Sequence, residues 1–211
     1  MRQTCLILAA VFAAACASTE PYDYTLFREH PPRSILVLPP LDNTFEVDAS
    51  YAYLSTVTQP LAERGYYVFP VAVVDALMRE NGLPTPGEMH TVSLDRIADI
   101  FGADSVLFVT LTDWGTSYQV IDSSTRVTAE ARLVDVGTGT EIWSGSNSAY
   151  YSSASGSGGL VEMLVGAVVN QVASSISDPS RDVARDCNSG LFCNGGSGLL
   201  VGPYHPEYGK E

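Results

Sequence analysis

The run Ile35-Leu36-Val37-Leu38, stopped dead by Pro39-Pro40, does most to decide what this chain can become. A strand with one wet face alternates apolar and polar residues. A strand that is apolar at every position is buried on both faces, so it needs helices above and below its sheet. The sequence that follows supplies them. Tyr53, Val57 and Leu61 recur at spacing four and predict a helix over Ala49 to Arg64, with Pro60 interrupting and kinking it. Gly65 stops that helix, and Tyr66-Tyr67-Val68-Phe69 reads as a second strand before Pro70. Val71 to Glu80 predicts a short helix closed by Asn81-Gly82. A loop, Leu83 to Gly87, leads to a further helix over Ser93 to Phe101, with Ser93 as N-cap and Gly102 just past its end. Ser105 to Thr112 is a third strand. Strands separated by helices predict parallel pairing through crossovers.

The second half changes period. Thr116 to Ile121, Arg126 to Val136 and Glu141 to Tyr150 alternate, with Val127, Ala129, Ala131 and Leu133 on one face. Asp135 to Thr140, with Gly137 and Gly139, is a hairpin turn. The fold class is therefore α/β (α+β): a mixed sheet whose parallel βαβ half is extended by an antiparallel meander, with helices packed on it. Ser152 to Gly159 reads as a flexible loop. Leu160, Leu164, Val168, Val172 and Ile176 form the stripe of an apolar helix, expected to pack over the sheet. After Asp178-Pro179 the chain reads as irregular.

The N-terminus carries an address. Arg2 precedes an apolar stretch, Leu6 to Ala15, of signal-peptide length and too short to span a bilayer. Ala13-Ala14-Ala15-Cys16 ends it as a lipoprotein processing site, in which the Cys16 thiol takes up a diacylglyceryl group. Two or more acyl chains anchor stably where one does not. Ala17 in place of Asp points, by the enteric sorting convention, to the outer membrane with the folded part facing the periplasm. The expected organisation is a signal peptide over 1–15, a lipidated N-terminus and tether over 16–33, an α/β domain over 34–177 and a C-terminal tail over 178–211. The tether expectation rests on missing periodicity and on Pro31-Pro32.

A formal charge of −13 argues against nucleic acid and anionic headgroups as partners. With Cys5 removed and Cys16 acylated, Cys187 and Cys193 remain, and an oxidising periplasm predicts a small-loop disulfide between them. Catalytic patterns are missing: no G-x-S-x-G elbow, no phosphate loop, no H-E-x-x-H. The three histidines, 30, 90 and 205, are dispersed, so no metal or other cofactor is expected. Asp104, Asp113 and Glu141 are the candidates for a carboxylate pair. The proline- and tyrosine-rich segment Leu199 to Tyr208 is suited either to a groove on a partner or to its own domain.

Four segments carry a resemblance: Asn81-Gly-Leu-Pro-Thr-Pro-Gly-Glu-Met-His90, Ile100 to Phe108, Asp113-Trp-Gly-Thr-Ser-Tyr118 and Gly202-Pro-Tyr-His-Pro206. Together they resemble a bacterial surface-lipoprotein family of unknown function, the vaccine-candidate antigen type. The resemblance implies a fold similar to the Tol-protein N-terminal domain, the lipoprotein activators of penicillin-binding proteins and the curli-secretion lipoprotein. It implies envelope proteins as partners, a curli-secretion-like lipoprotein among them, and with the catalytic patterns missing no enzymatic activity is expected. The expected function is a lipid-anchored protein-interaction or assembly module, with Pro84, Pro86, His90, Pro203, Tyr204, His205 and Pro206 as its interaction residues. The rival readings are an accessory subunit of a curli-type secretion or export assembly, and a cell-wall hydrolase.

Overall fold

The computed structural model describes residues 21–118, 123–152 and 179–210. The expectations for the leader and Cys16, for the Ser/Gly tract from residue 153 onward and for the helix over 160–176 lie outside the described residues.

A six-stranded mixed sheet runs in the order Tyr67–Val68 (β3), Ser34–Val37 (β1), Ser105–Tyr118 (β4), Ser123–Asp135 (β5) and Glu141–Ser152 (β6), with Leu41–Asp42 (β2) also on β4. The all-apolar run forms β1 (Ser34–Val37), parallel to β3 (Tyr67–Val68) on one side and to the start of β4 (Ser105–Tyr118) on the other. Pro39 and Pro40 end it, since neither has an N–H to donate. Pairing to the same strand resumes at β2 (Leu41–Asp42), where Leu41 faces Thr110. β4, β5 (Ser123–Asp135) and β6 (Glu141–Ser152) are antiparallel and long.

Over residues 105–118 the chain forms one strand, where two are expected from sequence. A bulge between Leu111 and Asp113 lets the ladder continue, and Trp114 then pairs with Val127. A bulge shifts the side-chain alternation by one, so a single bent strand reads as two.

Helices cover both faces, as β1 requires. On one face α2 (Ala49–Glu63) and α6 (Ser180–Phe192) pack Tyr53, Val57, Leu61, Val183 and Leu191 against Leu107, Val109, Ala129 and Leu133. On the other, α3 (Val71–Glu80), the single turn α4 (Pro86–Met89) and α5 (Leu94–Phe101) place Val74, Met78, Met89 and Ile97 over Leu36, Leu38, Val106 and Phe108. Among the described residues, this second layer covers only one end of the sheet. Arg126, Glu130, Arg132, Ser144, Ser146 and Ser148 lie beyond it and are exposed.

Three expectations need correction. The stretch before β1 is docked rather than a free tether from residue 21 on. Thr25–Glu29 forms a short helix, α1, that buries Phe27 in the main core, while the Tyr24 hydroxyl donates to the carbonyl of Gly198. The C-terminal segment is not irregular either, because α6 contributes Cys187, Leu191 and Phe192 to that core. Cys187 and Cys193 are both free, the first buried and the second exposed. Six residues along a helix advance about 9 Å and turn to a different face, beyond the reach of a disulfide. The same geometry aims the Cys187 thiol at the sheet, where it donates to the Asn147 carbonyl at 3.3 Å. Burial pushes that thiol up to about 11.

Candidate functional site

Where the second helix layer ends, the sheet face opens into a cleft of about 500 Å³. Its floor is built by strand register: Phe108, Arg132 and Ser144 lie in one row, Thr110, Glu130 and Ser146 in the next. Leu41, Ala131, Gly145 and Glu141 complete it, and His90 forms the wall at the end of α4. The Arg132 guanidinium sits 4.2 Å above the Phe108 ring, and the His90 ring meets the same phenyl edge-on at 5.3 Å between centroids.

α4 is well specified, although the proline-rich sequence around it reads as loop. Thr85 Oγ1 accepts from the Glu88 amide, and the Glu88 carboxylate accepts from the Thr85 amide and hydroxyl. Pro86 occupies the first helical position, where a missing N–H costs nothing. This box aims His90 inward, so that Nε2–H donates to the Pro39 carbonyl at 2.9 Å. Burial holds its pKa below the ordinary imidazole value; the Pro39 contact opposes that and the Arg132 charge adds to it.

Nothing in the cleft resembles an activated nucleophile. The imidazole Nε2 is committed to a backbone carbonyl, and among the described residues no cleft hydroxyl hydrogen-bonds to the ring. The candidate carboxylates do not come together as a pair. Asp104 accepts from the Arg33 and Ser34 amides and the Ser34 hydroxyl, which pins the start of β1 to the start of β4. Asp113 lies at the bulge facing Arg126, 4.0 Å away, and Glu141 is at the cleft rim. Among the described residues no cluster of His, Cys, Asp and Glu could hold a metal.

A second feature is the turn between β2 and α2. Phe45 and Val47 are 104% and 91% exposed. Their placement is not slack. Asp42 accepts from the Thr44 amide, the Thr44 hydroxyl accepts from the Glu46 amide, and the Glu46 carbonyl accepts from the Ala49 amide. Acidic residues surround them: Asp42, Glu46 and Asp48, with Asp113 on the strand beside the turn. Gly115, at φ 128°, gives the Glu46 side chain room against that strand.

The interaction residues read from sequence do not form one surface. Pro84 is exposed and Pro86 half-buried beside His90, at the Pro39 end of β1. Pro203, Tyr204, His205 and Pro206 lie at the other end, because Gly202 and Tyr204 donate to the carbonyls of Arg64 and Gly65 just before β3. Those ends are five residues of strand apart, about 17 Å. The C-terminal segment therefore packs across its own fold, with the Tyr66 hydroxyl donating to the Leu200 carbonyl at 2.6 Å. The cleft residues on β4 to β6 and the Phe45 turn are absent from the sequence-derived set. The cleft has no local signature, since register between distant strands assembles it. The turn has one: Phe45 and Val47 alternate with Thr44, Glu46 and Asp48 between a proline stop and a helix start.

Comparison with known proteins agrees with this architecture. A family model described as "Putative lipoprotein GNA1162-like" matches residues 22–204. A Neisseria meningitidis serogroup B protein, "Putative lipoprotein NMB1124/NMB1162", is 42% identical over 211 residues, covering 98% of each chain. The crystal structure of lipoprotein GNA1162 from Neisseria meningitidis is 48% identical with a TM-score of 0.56, spanning 68% of this chain and 99% of that one. The LpoB C-terminal domain from Escherichia coli is a more distant likeness, 22% identical at a TM-score of 0.38, covering 56% of this chain and 82% of that one.

Proposed function

We propose, from the premise that this chain belongs to the GNA1162-like lipoprotein family, that it is anchored to an envelope membrane through lipid on Cys16 and works by contact with other envelope proteins, performing no reaction of its own. The sorting residue Ala17 supports the outer membrane as that membrane, with the folded part hanging into the periplasm.

The observation that carries the contact reading is the Phe45–Val47 turn. Single exposed apolar residues are ordinary, but two on one turn held by three hydrogen bonds are presented for use. Burying a phenyl and an isopropyl group contributes on the order of 2–5 kcal/mol, enough to anchor an interface when the turn is already ordered. The surrounding carboxylates select the occupant. They repel an anionic lipid surface and favour a protein pocket that is apolar at its centre and lined with Lys or Arg at its rim.

A photo-crosslinking residue at position 45, in the lipidated protein in its native envelope, tests this. One discrete adduct is expected, and it should be lost when Glu46 and Asp48 are changed to Lys. The same residue at Val73, exposed on α3, should give none. No adduct at 45, or the same products from both positions, would remove the turn as the contact surface.

A further inference from the structure

On the polar face of the sheet, the charged side chains of the described residues outside the cleft pair with one another, and those inside it do not. Outside it, Arg126 lies 4.0 Å from Asp113 and Thr128 hydrogen-bonds Ser148 at 2.9 Å. Inside it, among the described residues, the Arg132 guanidinium has no carboxylate partner and no hydrogen-bond acceptor. Glu130 and Glu141 have no cation, and the hydroxyls of Thr110, Ser144 and Ser146 have no partner. Among the described residues, the unpaired charges of this face are thus gathered in its concave part.

From this we infer that the cleft is a binding site for a short peptide carrying a free carboxylate next to a basic side chain. The charge pattern selects this class. Arg132 is a fork of N–H donors steadied against the Phe108 ring, the arrangement that grips a carboxylate through two parallel hydrogen bonds. Glu130 lies two residues along the same strand, about 7 Å away, and Glu141 is beyond Arg132 on the other side. A simple anion is repelled by the two glutamates, and a simple cation by the arginine. A ligand with one carboxylate flanked by an amine satisfies both signs. The neighbouring hydroxyls take its peptide groups, while the half-buried Leu41 takes an aliphatic stem. The volume suits a ligand of two or three residues.

This site is separate from the Phe45 turn and does not depend on it. Calorimetric titration of the full lipidated protein in detergent tests it with three probes: N-acetyl-alanyl-lysine, its C-terminal amide, and N-acetyl-alanyl-glutamine. The first should bind, and loss of either the carboxylate or the amine should weaken binding roughly tenfold or more. Arg132→Gln should abolish the preference for acid over amide, whereas Arg132→Lys should keep part of it. Changing Glu130 and Glu141 together to Gln should abolish the preference for lysine over glutamine. These positions are exposed, and an unchanged thermal melt of each variant confirms that its fold is intact. No binding of the first probe at millimolar concentration, equal binding of acid and amide, or a parental preference retained by Arg132→Gln would each overturn the assignment. Crosslinking from position 45 should be unaffected by all of these variants, which keeps the two surfaces distinguishable.

Discussion

At His90 the chain sets a polar ring between a proline carbonyl and a phenyl edge, with a guanidinium across the same phenyl. Burial dominates its ionisation and lowers its pKa below 6.5. The sign of the stability effect follows from proton counts. Just below pH 6.5 the unfolded imidazole is protonated more readily than the folded one, so falling pH favours unfolding. The contribution is therefore complete above the ordinary imidazole value and is lost as pH falls through it toward the folded value. The chain has two other histidines, 30 and 205, so the comparison has to isolate position 90. Melting temperature measured from about pH 8 to about pH 5 should fall further for the parent than for His90→Gln, which keeps a donor for Pro39 and cannot be protonated. Parallel curves would show that His90 contributes no pH dependence.

Helix α6 shows what element-level reading can miss. Its buried positions Val183, Ala184, Cys187 and Leu191 do recur at helical spacing, but Arg, Asp, Asn and Gly residues separate them and the stripe is thin. Gly190 invites a turn in sequence; in the structure it leaves room for Asn147, whose side-chain nitrogen would lie 2.3 Å from an added Cβ. With the helix unread, a cysteine pair six apart looks like a bridge. Thiol titration decides between the two. The mature lipidated protein, unfolded without reductant, should show two reactive thiols, and folded it should show Cys193 reacting well before Cys187. No thiol in the unfolded chain would restore the bridge. Other elements were legible because burial alone wrote them. Tyr53, Val57 and Leu61 are all fully buried in α2, α3 runs over its expected bounds, and Val127 to Leu133 present the expected face. The five-residue α1 was illegible, since one buried phenylalanine beside a proline pair makes no period. So was the cleft, because strand pairing brings residues 41, 108, 132 and 144 together and α4 adds His90 from a distant stretch of sequence.

Across the whole molecule the two chain ends close the same core. Tyr24 of the N-terminal segment reaches Gly198 in the stretch that follows α6, Arg64 just after α2 donates to the carbonyl of Phe192 at the end of α6, and the C-terminal segment then returns to cross the turn before β3. That crossing is tight. A Cβ on Gly65 would lie 2.3 Å from the His205 amide nitrogen, and one on Gly202 would lie 2.5 Å from the Gly65 carbonyl oxygen. The Gly202-Pro-Tyr-His-Pro206 motif thus has a packing role that requires glycine on both sides. Gly82 supplies the control, for its φ of 83° nearly equals the 84° of Gly65 but nothing lies within 4 Å of its missing Cβ. Gly82→Ala should cost only the left-handed backbone penalty, about 1–2 kcal/mol. Gly65→Ala should pay that and also displace the C-terminal segment, for a total of about 2–5 kcal/mol. Urea unfolding of both variants measures the difference. A chain truncated after Gly198, which loses the buried Leu199 and Val201, should be destabilised even more, and in that background Gly65→Ala should cost no more than Gly82→Ala. If the Gly65 penalty persists without the segment, the strain belongs to the turn itself and the closure of the fold by its C-terminus is refuted.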